Sequence, residues 1–258
     1  MEASRALRIC TRCHRNAPTL PLYLTFVAPR IVTQQQQLRF NSTSSSRSSD
    51  SPGQPNSPTG KTSSKPRMVL TQKQRDFLDS ALRVNQAGEL AATHIYTAQT
   101  PPVVRSNPHL RPLMKHMYDQ EAGHLRNFNH LMEKHQVRPT AMYPVWEVAA
   151  KFLGWSTGIM GREAAMACTE AVETEIGTHY NEQIREILEW SADAEARGEE
   201  LDEELKDLLV LLKKTRDEEL EHLDHAVEND AKKAKPYEPL TNIIQLGCRA
   251  AIQISQRV

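Results

Sequence analysis

The feature that most constrains this chain is a pattern written twice: Asp119-x-Glu121-x-x-His124-Leu125 and Asp217-x-Glu219-x-x-His222-Leu223. Glu and His three residues apart leave the same face of a helix, so each copy can present a carboxylate and an imidazole to one ion. A lone Glu-x-x-His is ordinary helix surface. Two copies in a longer matching register mark an internal repeat. The helix before each copy should then match as well. Glu89 is followed by Tyr96 at seven positions and Gln99 at ten, and Glu173 by Tyr180 at seven and Gln183 at ten. From that glutamate to the Glu-x-x-His glutamate is 32 residues in the first half and 46 in the second. An acidic stretch around Ser191 to Glu204 accounts for the difference, in a connection where added length costs little closure entropy.

From Thr71 onward apolar residues recur at helical spacing, and no segment reads as a strand. The pattern predicts a first helix from Thr71 or Gln72 to about Gln99, stopped by Pro101-Pro102. A second follows Asn107-Pro108 and runs to about His135. Val145 to Met160 forms a third, more apolar helix, with Gly154, Gly158 and Gly161 along it. A fourth spans Arg162 to about Ala196, a fifth Glu199 to Ala231, and a last runs from Leu240 to the C-terminus. The expected fold is all-α, a four-helix bundle of two repeated helix pairs with two accessory apolar helices.

Two pairs, each giving one Glu and then one Glu-x-x-His, bring four carboxylates and two imidazoles to a bundle centre. This is the ligand arrangement of ferritin-like di-iron and di-manganese carboxylate proteins. Four carboxylates balance two divalent cations, and hard oxygen donors with imidazole suit iron or manganese. Buried without cations, those charges would be very costly. The expected metal ligands are therefore Glu89, Glu121, His124, Glu173, Glu219 and His222, with Glu121 and Glu219 bridging two ions. Asp119 and Asp217 either accept the second ring proton of a ligand histidine across the site or are plain surface acids. Glu218 and Glu175 fall outside the repeat register and are not expected to be ligands. Tyr96, Tyr180 and His179 are candidates to relay protons or electrons, although packing with a satisfied hydrogen bond is the better account of Tyr96. His94, His116, His130, His135 and His225 have no repeat partner, and Cys168 and Cys248 read as packing residues.

The N-terminal region differs in kind. Residues 1–40 hold six arginines against one acid, Glu2, the makeup of a mitochondrial transit peptide. Residues 41–66 are rich in Ser, Pro, Gly and Thr and read as a flexible linker, which leaves a domain over 67–258. Cys10-Thr11-Arg12-Cys13-His14 matches a haem-attachment pattern and Asn41-Ser42-Thr43 a glycosylation sequon. Neither fits a segment of this composition. Without residues 1–40, 26 basic and 31 acidic residues remain, a mildly acidic balance that argues against nucleic-acid binding. No apolar run reaches the ~18 to 20 residues that a membrane-spanning helix requires.

Beyond spacing, several segments resemble the 5-demethoxyubiquinone hydroxylases of ubiquinone biosynthesis. These are Arg83-Val84-Asn85-Gln86-Ala87-Gly88-Glu89, Asp119-Gln120-Glu121 with His124, Gly161-Arg162-Glu163-Ala164-Ala165-Met166-Ala167-Cys168, Arg216-Asp217-Glu218-Glu219-Leu220-Glu221-His222 and Gly247-Cys248-Arg249. The resemblance covers about residue 78 to the end. It implies a mitochondrial di-iron monooxygenase, peripheral on the matrix side of the inner membrane, that uses dioxygen to hydroxylate the ring of a polyprenyl quinone. It also implies NADH as electron donor and a lipid-binding partner protein of the same biosynthetic complex.

A substrate this apolar must come from a bilayer. Trp146, Phe152, Trp155 and Ile159 on the third helix are the candidate membrane and substrate-access surface, in a segment whose glycines and tryptophans suit an interface. Leu240, Ile243, Ile244, Leu246 and Ile252 on the last helix could extend that surface or make a homo-oligomer contact. The competing readings are a ferritin-like ferroxidase with the same ligands and no organic substrate, and a non-enzymatic lipid-binding scaffold.

Overall fold

The structure is a computed structural model and describes residues 65–258. The expected transit peptide, the haem-attachment pattern, the sequon and nearly all of the expected linker lie outside the described residues. Six helices follow in order: α1 Gln72–Ser106, α2 Arg111–His135, α3 Tyr143–Met160, α4 Arg162–Ala196, α5 Glu203–Glu228 and α6 Tyr237–Ser255. Short 3-10 turns precede α2 and α6. Among the described residues extended pairing is limited to one bridge between Arg67 and Glu200, so the all-α expectation holds.

Local chemistry sets the helix ends. Thr71 caps α1 through a reciprocal pair with Gln74, each side chain bonded to the other's backbone N–H. Asp202 caps α5 by accepting from the N–H of Glu204 at 3.2 Å, and Glu203 and Glu204 place negative charge in its first turn. Gly161 joins α3 to α4 at φ 118°, a conformation that favours glycine.

The expected end of α1 is wrong. Pro101 and Pro102 do not stop α1; they lie inside it, and the helix continues to Ser106. Each proline removes a ladder hydrogen bond, and an interior proline costs about 3 kcal/mol. Tertiary packing offsets that cost. Val103 and Val104 beyond the prolines are buried in one apolar cluster with Met114, Met117 and Met166. Helix α5 is also shorter than expected at both ends, because Asp202 and the turn at Asp230 bound it.

Helix α1 lies against α2, and α4 against α5, while α3 covers α1 and α6 covers α4. Two of the three apolar clusters of the core lie toward the two ends of the bundle. One contains Leu82, Phe128, Met132, Tyr180, Ile187, Leu205 and Leu212. The other contains Tyr96, Val103, Met114, Met117, Ala165 and Ala226. On each of α1, α2, α4 and α5 the predicted ligands fall between the stretches that feed these two ends. The polar residues are thus held in a layer closed above and below by packed hydrocarbon.

Candidate metal centre

Glu89 comes from α1, Glu121 and His124 from α2, Glu173 from α4, and Glu219 and His222 from α5. None of the six is more than 2% exposed. Their ligating atoms form two groups, Glu89 with His124 and Glu173 with His222, and both groups share Glu121 and Glu219. The sharing is visible atom by atom. Nδ1 of His124 lies 3.1 Å from Oε1 of Glu219 and 3.8 Å from Oε2 of Glu121. Nδ1 of His222 lies 3.0 Å from Oε1 of Glu121 and 3.3 Å from Oε2 of Glu219. Each central carboxylate therefore turns one oxygen to each imidazole.

Seven atoms of this layer, Oε2 of Glu89, both oxygens of Glu121 and of Glu219, and Nδ1 of both histidines, are buried with no hydrogen-bond partner. Orphaned buried polar atoms are rare, and here they converge on common points. Burial pushes the carboxyl groups of Glu89 and Glu173 well up, with the Glu219 carboxylate adding to it. The two imidazoles are raised as well, for the opposite reason: burial disfavours their protonation, but the hydrogen bonds a protonated ring makes to Glu121 and Glu219 overcome it and raise His222 to about 11. The layer demands positive charge, and a pair of divalent cations fits both the charge and the donor set.

The second ring nitrogen of each histidine is fixed from outside. Nε2 of His124 lies 2.7 Å from Oε2 of Glu218, and Nε2 of His222 lies 2.9 Å from Oε1 of Gln120. With acceptors there, the network assigns the ring proton to Nε2 and leaves the Nδ1 lone pair aimed inward. This corrects the expectation for Asp119 and Asp217. Both face solvent, Asp119 paired with Lys115 and Asp217 with Arg216 at 2.8 Å. A residue two positions before a ligand points to the far side of a helix, whereas the residue one before flanks the ligand and reaches the neighbouring helix. Gln120 and Glu218 are the residues that sequence reasoning missed. Their signal was an oxygen acceptor immediately before each Glu-x-x-His.

Tyr96 and Tyr180 do reach the layer, bonding to Glu173 and Glu89 respectively. His179 does not: it is buried on α4 with Nε2 unpartnered, and burial pulls its pKa to about 4. Glu175 forms a two-pronged bond to Arg249 at 2.7 and 2.9 Å, outside the layer. Cys168 is fully buried and Cys248 partly so, both as free thiols.

Beside the layer, α1, α3, α4 and α6 enclose an apolar cavity of about 340 Å³. Gly88 and Val172 in its wall are the chain neighbours of Glu89 and Glu173, and Trp146 lines the wall from α3. The expected access surface thus divides. Trp146 faces the cavity and donates to Oγ of Ser255 at 2.9 Å, while Phe152, Trp155 and Ile159 are more than half exposed. The glycines of α3 serve another purpose than the one expected. A Cβ at Gly154 would meet the carbonyl oxygen of Ile95 at 2.4 Å, and one at Gly158 would meet Pro102 at 2.8 Å. They allow the backbone of α3 to lie directly on α1.

Residues 76–255 match the family model for ubiquinone biosynthesis protein COQ7. The chain belongs to this family. It is similar to the 5-demethoxyubiquinone hydroxylase, mitochondrial, of Saccharomyces cerevisiae, 43% identical over 190 residues, covering 73% of this chain and 82% of the relative. It is 44% identical over 191 residues to the human NADPH-dependent 3-demethoxyubiquinone 3-hydroxylase, mitochondrial, covering 74% and 82%. A bacterial relative, the 3-demethoxyubiquinol 3-hydroxylase of Rhodospirillum rubrum, is 36% identical over 70% of this chain and 79% of its own length. The COQ7 match includes all six residues of the buried layer, Gln120 and Glu218 beside it, and the whole cavity wall.

Proposed function

We infer that this COQ7-family chain is a mitochondrial hydroxylase that inserts one oxygen atom of dioxygen into the ring of a demethoxyubiquinone in ubiquinone biosynthesis. The observation that carries this reading is a dry layer of four carboxylates and two imidazoles, with their donor atoms orphaned, directly beside an apolar cavity. Glu89 and His124 on one side and Glu173 and His222 on the other, with Glu121 and Glu219 shared by both groups, would hold two iron ions, the histidines through Nδ1. When bound, iron supplies the redox chemistry with dioxygen that side chains lack.

The chain's own residues position and insulate. Tyr96 and Tyr180 donate to the terminal carboxylates and fix their rotamers. Glu218 and Gln120 hold the ring protons of the two histidines at Nε2 and so keep Nδ1 facing inward. The apolar ends of the bundle exclude water, which strengthens every electrostatic interaction in the layer. The cavity receives the quinone ring next to Glu89 and Glu173. In the balanced reaction a ring C–H becomes C–OH and the second oxygen leaves as water. Two electrons and one proton come from a reduced nicotinamide and the second proton from solvent: the resemblance points to NADH, and the human relative's name to NADPH.

Val148, Phe152, Trp155 and Ile159 form an exposed apolar row along α3, and Ile243 and Leu246 extend exposed apolar surface onto α6. Such a surface supports peripheral attachment to the membrane that holds a polyprenyl substrate, proposed as the matrix side of the mitochondrial inner membrane. It equally suits the lipid-binding partner protein of the complex or a second copy of the chain. No described helix is long and apolar enough to cross a membrane. A ferroxidase has no use for this cavity, and a scaffold has none for the orphaned ligands.

Replacing Glu219 by Ala separates the readings. The account expects bound iron and hydroxylation to fall together to background while the helical circular-dichroism signal persists. Hydroxylation retained without iron contradicts it, and partner binding alone as the retained function would favour the scaffold.

A further inference from the structure

Helix α5 carries polar groups on two sides. Glu219 and His222 turn into the bundle, whereas Glu221 and His225, one turn apart, face outward. His116 of α2 stands opposite them. Nε2 of His116 lies 4.0 Å and Nε2 of His225 lies 3.5 Å from the same oxygen, Oε1 of Glu221. The two imidazole rings approach edge-on, with centroids 6.3 Å apart. One donor atom from each of the three residues falls within 4.8 Å of the others.

We propose that His116, Glu221 and His225 form a second metal site, on the bundle surface, which binds a borderline divalent cation such as zinc and clamps α2 to α5. Two imidazoles with one carboxylate are a zinc, nickel or copper donor set, whereas magnesium and calcium take oxygen ligands. Three protein ligands leave the fourth tetrahedral position to water. Metal–ligand bonds of about 2.0–2.1 Å require donor separations near 3.3 Å, so from separations within 4.8 Å the side chains close by up to about 1.5 Å. They can do so by rotation, since His116 and Glu221 are about half exposed and no core group has to move. Glu228 lies 3.7 Å from Nδ1 of His225, beyond hydrogen-bond distance, and adds negative charge beside the site. This donor set is softer and more open than the buried layer, and it takes a different ion. The clamp matters because α2 and α5, the two Glu-x-x-His helices, touch only sparsely along their length.

The test uses the full chain loaded with iron and titrated with Zn²⁺ against a chromophoric chelator, beside a His116→Asn, His225→Asn double variant. One zinc per wild-type chain is expected with no loss of iron, bound on the order of a hundredfold more tightly than in the variant. Zinc should also raise the melting temperature of the wild type alone. Equal zinc affinity in the two proteins, or no zinc uptake, overturns the proposal. Zinc uptake matched by release of iron assigns the ion to the buried layer and overturns it as well.

Discussion

The phenol of Tyr96 on α1 donates a 3.1 Å hydrogen bond to Oε1 of Glu173 on α4. Tyr180 on α4 donates in the same way to Glu89 on α1, so each outer carboxylate is held by a tyrosine from the opposite half. Burial pushes both phenol pKa values well up, and the carboxylate each one faces adds to the shift. Both remain donors at neutral pH. Tyr180→Phe removes the hydrogen bond on Oε1 of Glu89 and should weaken iron retention about 10- to 100-fold, read by competition with a chelator. Unchanged iron retention would show that Glu89 needs no such support.

The outer partners of the histidines give a paired prediction. Glu218→Gln leaves a weaker acceptor on Nε2 of His124 and should lower iron affinity or turnover about 10- to 100-fold. Asp217→Asn, one residue away on the exposed side, should match the wild type. The reverse ranking would restore the aspartates as the partners.

Close approach of α3 to α1 predicts opposite outcomes for two glycines. At Gly154 an added methyl group meets the backbone of Ile95, so Gly154→Ala should destabilise by about 1–3 kcal/mol. At Gly123 it meets only the Nη2 atom of Arg126, at 3.8 Å. Gly123→Ala within α2 should therefore stabilise by about 0.5–1 kcal/mol. Urea unfolding monitored by circular dichroism reads both.

His179 predicts the acid limb of stability. Burial lowers its pKa from 6.5 to about 4, so between these values the unfolded chain binds the extra proton. Its contribution is complete above pH 6.5 and is lost as pH falls toward 4, by about 3 kcal/mol at most. His179→Gln should flatten the stability profile across that window. An unchanged slope would place the acid sensitivity elsewhere.

The six candidate ligands were legible because each chemical requirement left a period in the sequence: a step of three from Glu to His, and the same seven and ten from Glu89 and Glu173. Pro101 and Pro102 misled because local propensity says nothing of the burial awaiting Val103 and Val104. Asp119 and Asp217 misled because identity across the repeat was weighed above helical direction, which favours Gln120 and Glu218. The glycines of α3 read as suiting a membrane interface; that they instead make room for the backbone of α1 is set by tertiary packing. The cavity was not legible at all, since its wall draws on four helices and no single segment carries its pattern.

The central claim is that the buried layer delivers an atom of dioxygen to a quinone ring. The direct measurement is an incubation of the iron-loaded chain with reduced nicotinamide, a short-tailed demethoxyquinone and ¹⁸O₂, followed by mass spectrometry of the product. The account predicts a product carrying a single ¹⁸O atom, absent without dioxygen and absent in the Glu219→Ala variant. Product whose added oxygen comes from water, or product formed equally by that variant, would contradict it.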